Sequence, residues 1–187
     1  MIRGAHITLR VVQEKDLETL FHYYSDIDNR GEFFPIWFPS AAVFKHDFHQ
    51  HGFWHEQQRR LVIVDHDDTL VGSIWFYQPV RYFDALEIGY ILFDQGSRNK
   101  GYTTEALSLL ACHLFETRTI RRLQLTVAVG NLASKRVAEK CGFTSEGIAR
   151  KAVFLRGKHV DLEWFSLLRE EAEQQPWWKG CGREGMG

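Results

Sequence analysis

The sequence predicts an α/β fold of the α+β kind, a mixed sheet with helices packed on it. Three observations carry this reading. Strand-like and helix-like patterns alternate in the order β α α β β β α β α β β. The stretch 85–141 runs strand, turn, helix, strand, helix, and two such strands in one sheet need a parallel crossover. The chain has 187 residues, 44% hydrophobic and 25% charged, which suits one domain with a full core. With no internal repeat or low-complexity linker, residues 1–175 read as a single domain and 176–187 as a peripheral tail.

Each element has its own signal. "HITLRVV" (6–12) reads as a strand. From Asp16, the residues Leu17, Leu20, Phe21 and Tyr24 fall on one helical face. Residues 26–40 are irregular, and 41–54 predict a helix. The β-rich runs 60–65 and 69–77 flank "HDD", a hairpin signal. Residues 85–93 form a third apolar run of strand length. In the next helix Thr103, Ala106, Leu107, Leu110 and Leu114 make the buried stripe, leaving Glu105, Ser108, Cys112 and Glu116 outside it. Residues 121–129 alternate as a strand with Leu123, Leu125 and Val127 on one face. Asn131 caps a helix over 132–140, which Gly142 stops. Two last strands flank "RGK" (156–158).

Composition narrows the function. A net charge of −1 supplies no field for nucleic acid or an anionic membrane. No apolar run approaches the ~20 residues that span a bilayer, and "MIRGAHITLR" lacks a signal-peptide core. Cys112, Cys141 and Cys181 form no CxxC pair, so reduced thiols in a cytoplasmic protein are expected. His46, His49, His51 and His55 cluster, but no three-ligand pattern completes them, and no metal is expected.

"SRNKGYTTEAL" (97–107) joins a basic turn to a helix start, an arrangement that suits an anion. It matches neither a P-loop nor a G-x-G-x-x-G fingerprint. Arg98-Asn99-Lys100-Gly101-Tyr102-Thr103 and, further on, "NLASKRVAEKCGFTSEG" (131–147) together resemble the two signatures of the GCN5-related N-acetyltransferases (GNAT), and within them the RimJ/RimL-like group. The resemblance covers about residues 6–171 and implies a GNAT fold. That means a sheet of about six to seven strands, helices on both faces and a splayed central strand pair. It also implies acetyl-CoA as co-substrate, its pyrophosphate held by main-chain amides from Arg98 to Thr103. Thr103 departs from the usual Gly or Ala; its side chain could crowd a phosphate oxygen or donate to one. The backbone of Ile88, Gly89, Tyr90 and Ile91 would serve the pantetheine arm, as an added strand pairs with a sheet edge. Asn131 would contact the same arm.

Transfer of acetyl to an amine needs a base for the amine proton, a donor for the oxyanion and help for the departing thiolate. Glu87 is the candidate base. It is a carboxylate in an apolar strand, where it needs a role or a partner. It stands eleven residues before Arg98, as the catalytic glutamate does in GCN5-type enzymes that this strand resembles. Ser134 stands where RimL-like enzymes offer a serine, and could bond the sulfur or relay a proton. Equally, Asn131 and Ser134 could serve only the helix start. In the aromatic segment "EFFPIWFP" (32–39), Phe34 and Trp37 are candidates, with Glu87, for the acceptor pocket. The partners expected are coenzyme A and an amine acceptor, either a peptide N-terminus or a small molecule such as an antibiotic; a homodimer is compatible. The other reading is a non-catalytic acyl-CoA-binding or interaction module on the same fold.

Overall fold

The computed structural model describes residues 1–28, 30–35, 38–55 and 58–181. Its elements are β1 (Ile2–Arg3), β2 (Thr8–Val11), α1 (Leu17–Ser25), α2 (Ala41–His51), β3 (Trp54–His55), β4 (Gln58–Val64), β5 (Leu70–Tyr77), β6 (Ala85–Leu92), α3 (Tyr102–Thr117), β7 (Arg122–Ala128), α4 (Leu132–Lys140), β8 (Thr144–Leu155), β9 (Lys158–Leu168) and α5 (Arg169–Ala172). Among the described residues they form one nine-stranded sheet ordered β1-β2-β4-β5-β6-β7-β9-β8, with β3 paired to β4. Of these, β1 and β3 are two-residue pieces. All described pairings are antiparallel except that of β6 with β7. α3 provides the crossover between those two strands.

The apolar runs are nearly continuous because both faces of the sheet are covered. On β4, Leu61 and Ile63 join the core beneath α3, with Leu107, Leu110 and Leu114. Val62 and Val64 point the other way, into a second core with Leu20 and Tyr24 of α1 and Phe53. The start of α1 is fixed by a buried ion pair: the Arg10 guanidinium donates to both Asp16 oxygens, at 2.6 and 2.9 Å.

Three local expectations change. The second helix ends at His51, not residue 54, because Gly52 takes the left-handed conformation (φ 61°) and turns Trp54 and His55 onto β4. Ser108 is buried rather than outside the stripe; its Oγ lies 3.4 Å from Cys141 Sγ, between α3 and the end of α4. The thiols are not all free. Cys112 on α3 is bonded to Cys181, closing a sequence separation of 69 residues, while Cys141 remains a buried thiol.

The physical reason is the docking of the last described segment. Trp177 and Trp178 pack against the α3 core. Trp177 Nε1 donates to the Cys141 carbonyl at 3.3 Å, and Trp178 meets Phe115 edge-on. This carries Cys181 back to Cys112. A thiol titration of unfolded, unreduced protein is therefore expected to count one thiol per chain, and three after reduction. Three thiols before reduction would show that the cross-link does not form. Breaking it should lower stability by about 2–4 kcal/mol.

Candidate active site

β6 and β7 are paired over only three positions, Ala85↔Arg122, Leu86↔Leu123 and Glu87↔Gln124. Beyond them the strands part. β6 stays paired to β5 as far as Leu92, and β7 stays paired to β9 as far as Ala128. The splayed central pair is thus present, and the β6 edge from Ile88 to Leu92 has no β7 partner. Every second residue of such an edge turns its N–H and C=O into the gap.

Glu87 sits at the apex and is 7% exposed. Its carboxylate accepts three hydrogen bonds from neutral donors. Tyr77 Oη (2.8 Å) and Thr126 Oγ1 (2.9 Å) donate to Oε1, and Gln124 Nε2 (3.0 Å) donates to Oε2. A carboxylate offers about four acceptor positions, so among the described residues one is left open on Oε2. Gln124 is fully buried, and its Oε1 has no hydrogen-bond partner among the described residues. A second acceptor therefore lies beside the first. Burial, and after it the negative charge of Glu87, pushes the Tyr77 pKa up, so that hydroxyl stays a donor.

Side chains alternate across β6. Glu87 and Gly89 share the α1 side with their β5 partners Tyr77 and Trp75. Gly89 is dictated by close approach, because a Cβ there would collide with the Trp75 indole. Phe34 stands edge-on to Trp75, with centroids 6.2 Å apart. The Arg60 guanidinium lies 5.3 Å from the Trp75 ring centre and 4.8 Å from that of Tyr24. Arg156, at the β8–β9 turn, donates to the carbonyls of Ile27 and Gly31. Trp37 lies outside the described residues.

Ile88 and Tyr90 face α3 and α4. The Tyr90 hydroxyl meets Ser134 Oγ at 2.8 Å and the Ser134 carbonyl at 3.3 Å. Asn131 Oδ1 accepts from the Ser134 amide at 3.2 Å, so Asn131 does cap α4. Glu87 and Ser134 therefore approach β6 from opposite faces.

The turn before α3 is exposed from Arg98 to Gly101, with Tyr102 and Thr103 half-buried. Asn99 (φ 61°) and Gly101 (φ 82°) are both left-handed, and no side chain caps α3. Its first amides and the positive end of its dipole are open to an anion, and Lys100 adds charge, its Nζ 5.8 Å from the Tyr102 ring centre. The turn and the open β6 edge fit a diphosphate bearing an extended arm. Cys141, pushed up to about 11 by burial, stays a neutral thiol and offers no nucleophile.

Sequence reasoning singled out Glu87, Ser134 and the turn as candidates, but not their neighbours Tyr77, Gln124, Thr126, Trp75 and Arg60, or the contact of Tyr90 with Ser134. One signal was visible: Gln124 and Thr126 are polar residues at the positions of "RLQLTVAV" that alternate with its leucines.

The fold is one shared by a family of acyltransferases. The family described as "Acetyltransferase (GNAT) domain" matches residues 6–144. The chain belongs to that family, in its RimJ/RimL-like group, and is an N-acetyltransferase. YjcK of Bacillus subtilis, named "Probable N-acetyltransferase", is 39% identical over 111 residues, covering 58% of this chain and 60% of that protein. The chain thus aligns with less than two thirds of that relative's length. "Putative ribosomal N-acetyltransferase YdaF" of the same organism is 31% identical over 175 residues, 90% of this chain and 94% of the other. Among solved structures, spermidine N-acetyltransferase from Vibrio cholerae in complex with CoA and spermine superposes with a TM-score of 0.79. That match has 20% identity and covers 90% of this chain and 99% of the other. No described helix is long and apolar enough to cross a membrane.

The Gly89–Trp75 contact yields a direct test. Gly89→Ala should destabilise the protein by about 1–3 kcal/mol, the usual cost of overpacking. Gly96→Ala, whose added methyl has the flexible Asp94 side chain as its nearest neighbour at 3.0 Å, should cost less. Denaturant unfolding of the two variants compares them, and equal stability would remove the steric constraint.

Proposed function

We propose that the protein transfers the acetyl group of acetyl-CoA to the α-amine of a peptide or protein N-terminus. The observation that carries this is the buried Glu87 carboxylate, oriented by three neutral donors where β6 and β7 part. An α-amine has a pKa of about 8, a lysine amine about 10.4, so an α-amine loses its proton to a base at lower cost near neutral pH. The open acceptor position on Glu87 takes that proton directly or through a water. The amine nitrogen then attacks the thioester carbonyl, the C–N bond forms, the C–S bond breaks, and the electron pair leaves on sulfur. The Ile88 backbone amide, on the side of β6 turned to the gap, faces the carbonyl oxygen, and the Tyr90 amide continues that edge along the pantetheine, whereas Gly89 and Ile91 turn their N–H and C=O to β5. The turn Arg98–Thr103 holds the diphosphate. Acetyl-CoA supplies the activated acyl group; these residues bind it, orient it and move one proton.

The choice of a peptide α-amine has two supports. YdaF, aligned over nearly its whole length, is named for ribosomal N-acetylation. The acceptor face also presents the cation Arg60 beside Trp75 and Phe34. A fixed cation there disfavours a polycation and suits an amine followed by a carbonyl or carboxylate. Thiol release from acetyl-CoA with N-terminal peptides, spermidine and an aminoglycoside separates the classes. Turnover of peptides well above the two polyamines is expected, and a preference for spermidine would overturn the acceptor class.

Glu87→Gln keeps the shape of the side chain and should lower kcat by about 10²–10⁴-fold, with little change in CoA affinity. The deficit should shrink as pH rises, since the amine then loses its proton unaided. A lower melting temperature with normal turnover would assign Glu87 a structural part only.

At the turn, Gly101→Val forces a β-branched residue to a φ of 82°, whereas Asn tolerates that region. Calorimetry should show weaker CoA binding for Gly101→Val and near-normal binding for Gly101→Asn. Unchanged affinity in Gly101→Val would displace the diphosphate from this turn.

A further inference from the structure

We infer that Tyr90 is a positioning residue for the leaving sulfur: its phenol donates to Ser134 Oγ and leaves the Ser134 hydroxyl proton free to be aimed at the thioester. The inference rests on the acetyl-transfer reading above. Tyr90 lies on the unpaired part of β6, three residues past the apex, and its ring packs against the α3 core. Two acceptors are in reach of its hydroxyl, Ser134 Oγ at 2.8 Å and the Ser134 carbonyl at 3.3 Å. The Oγ contact has the usual O–H···O length and the carbonyl contact is longer than that range, so the phenolic proton is assigned to Oγ.

A serine hydroxyl has one proton and two lone pairs. With one lone pair occupied by Tyr90, the Ser134 hydroxyl cannot donate back to the phenol, so its proton is directed elsewhere. The Ser134 backbone is also fixed, because its amide is held by Asn131 Oδ1. The hydroxyl is half-buried at the start of α4, on the face of β6 opposite Glu87. As the C–S bond breaks, the thiolate takes the electron pair and accepts a hydrogen bond from Ser134. Its proton then comes from solvent, and no proton leaves Tyr90. Burial raises the Tyr90 pKa, which keeps the phenol a donor throughout.

The test is a double-mutant cycle on the full chain with one accepted amine. Tyr90→Phe should lower kcat by about tenfold, the value of one ordinary hydrogen bond, with the KM for acetyl-CoA changed by less than about twofold. Ser134→Ala should lower kcat by about 10²-fold, as loss of a donor to developing charge does. The double variant should be no slower than Ser134→Ala alone, because Tyr90 acts only through Ser134. Wild-type kcat in Tyr90→Phe, or additive losses in the double variant, would overturn the inference. A fully active Ser134→Ala would remove both residues from sulfur chemistry and leave acetyl transfer standing. A wild type inert toward every amine would instead refute the acetyl-transfer reading. Should Tyr90→Phe fold poorly, a crystal structure of the wild type with CoA decides. The thiol on Ser134 Oγ, with Tyr90 Oη still on that oxygen, supports the role; the thiol on Tyr90 Oη, or Ser134 turned away, overturns it.

Discussion

The constraint on which the rest depends is the short pairing of β6 with β7. Each strand is held by its outer neighbour, β6 by β5 and β7 by β9, through almost its whole length. The inner pair holds over three positions and then yields. The sheet is thus two half-sheets joined at an apex. Backbone N–H and C=O groups cannot be left dry and unpaired at low cost. The parted β6 edge is tolerable only where solvent or an extended ligand can reach it. The same gap that weakens the sheet makes it a place where a chain-like molecule can add as a strand.

The apex residues follow from that geometry. Gln124 and Glu87 are the last pair before the strands part, and both side chains point to the α1 side, joined there by Tyr77 and Thr126. Placing a carboxylate in a sheet costs several kcal/mol unless it is hydrogen-bonded. Here three neutral donors offset that cost, with no cation paired to it among the described residues. A salt bridge would have stabilised the charge while occupying the acceptor positions. Neutral donors fix the orientation and leave one position open, which is what a proton acceptor needs and a purely structural carboxylate does not.

Much of this was legible in the sequence, and the limits are physical. Helical and strand periodicity report local burial, so the main strands and helices fell where the apolar stripes put them. Asn131 and Gly142 report local backbone geometry, and both bound α4 as expected. Glu87 stood out because a carboxylate in "LEIGY" violates the pattern around it. What could not be read was long-range. Whether Glu87 had neutral or cationic partners depended on the β6–β7 register, which no local pattern encodes. Ser108 looked polar and exposed, but α4 returns Cys141 to it across 33 residues. Cys181 looked like part of a tail, and only the docking of Trp177 and Trp178 brings it to Cys112. The second helix was read three residues too long because the apolar residues past Gly52 continued the pattern after the backbone had left it.

The alternation of side chains along β6 has a chemical consequence. Glu87 lies on one face, Tyr90 with Ser134 on the other, and the strand backbone stands between them. On the proposed reading, the proton taken from the amine and the proton that ends on sulfur belong to different faces. They cannot be handed across by a direct hydrogen bond. Each turnover therefore leaves Glu87 protonated on the acceptor side and a thiolate on the other, and both must be reset through solvent. This suits a carboxylate that is only 7% exposed but still reachable, since one open acceptor position is enough for exchange with water.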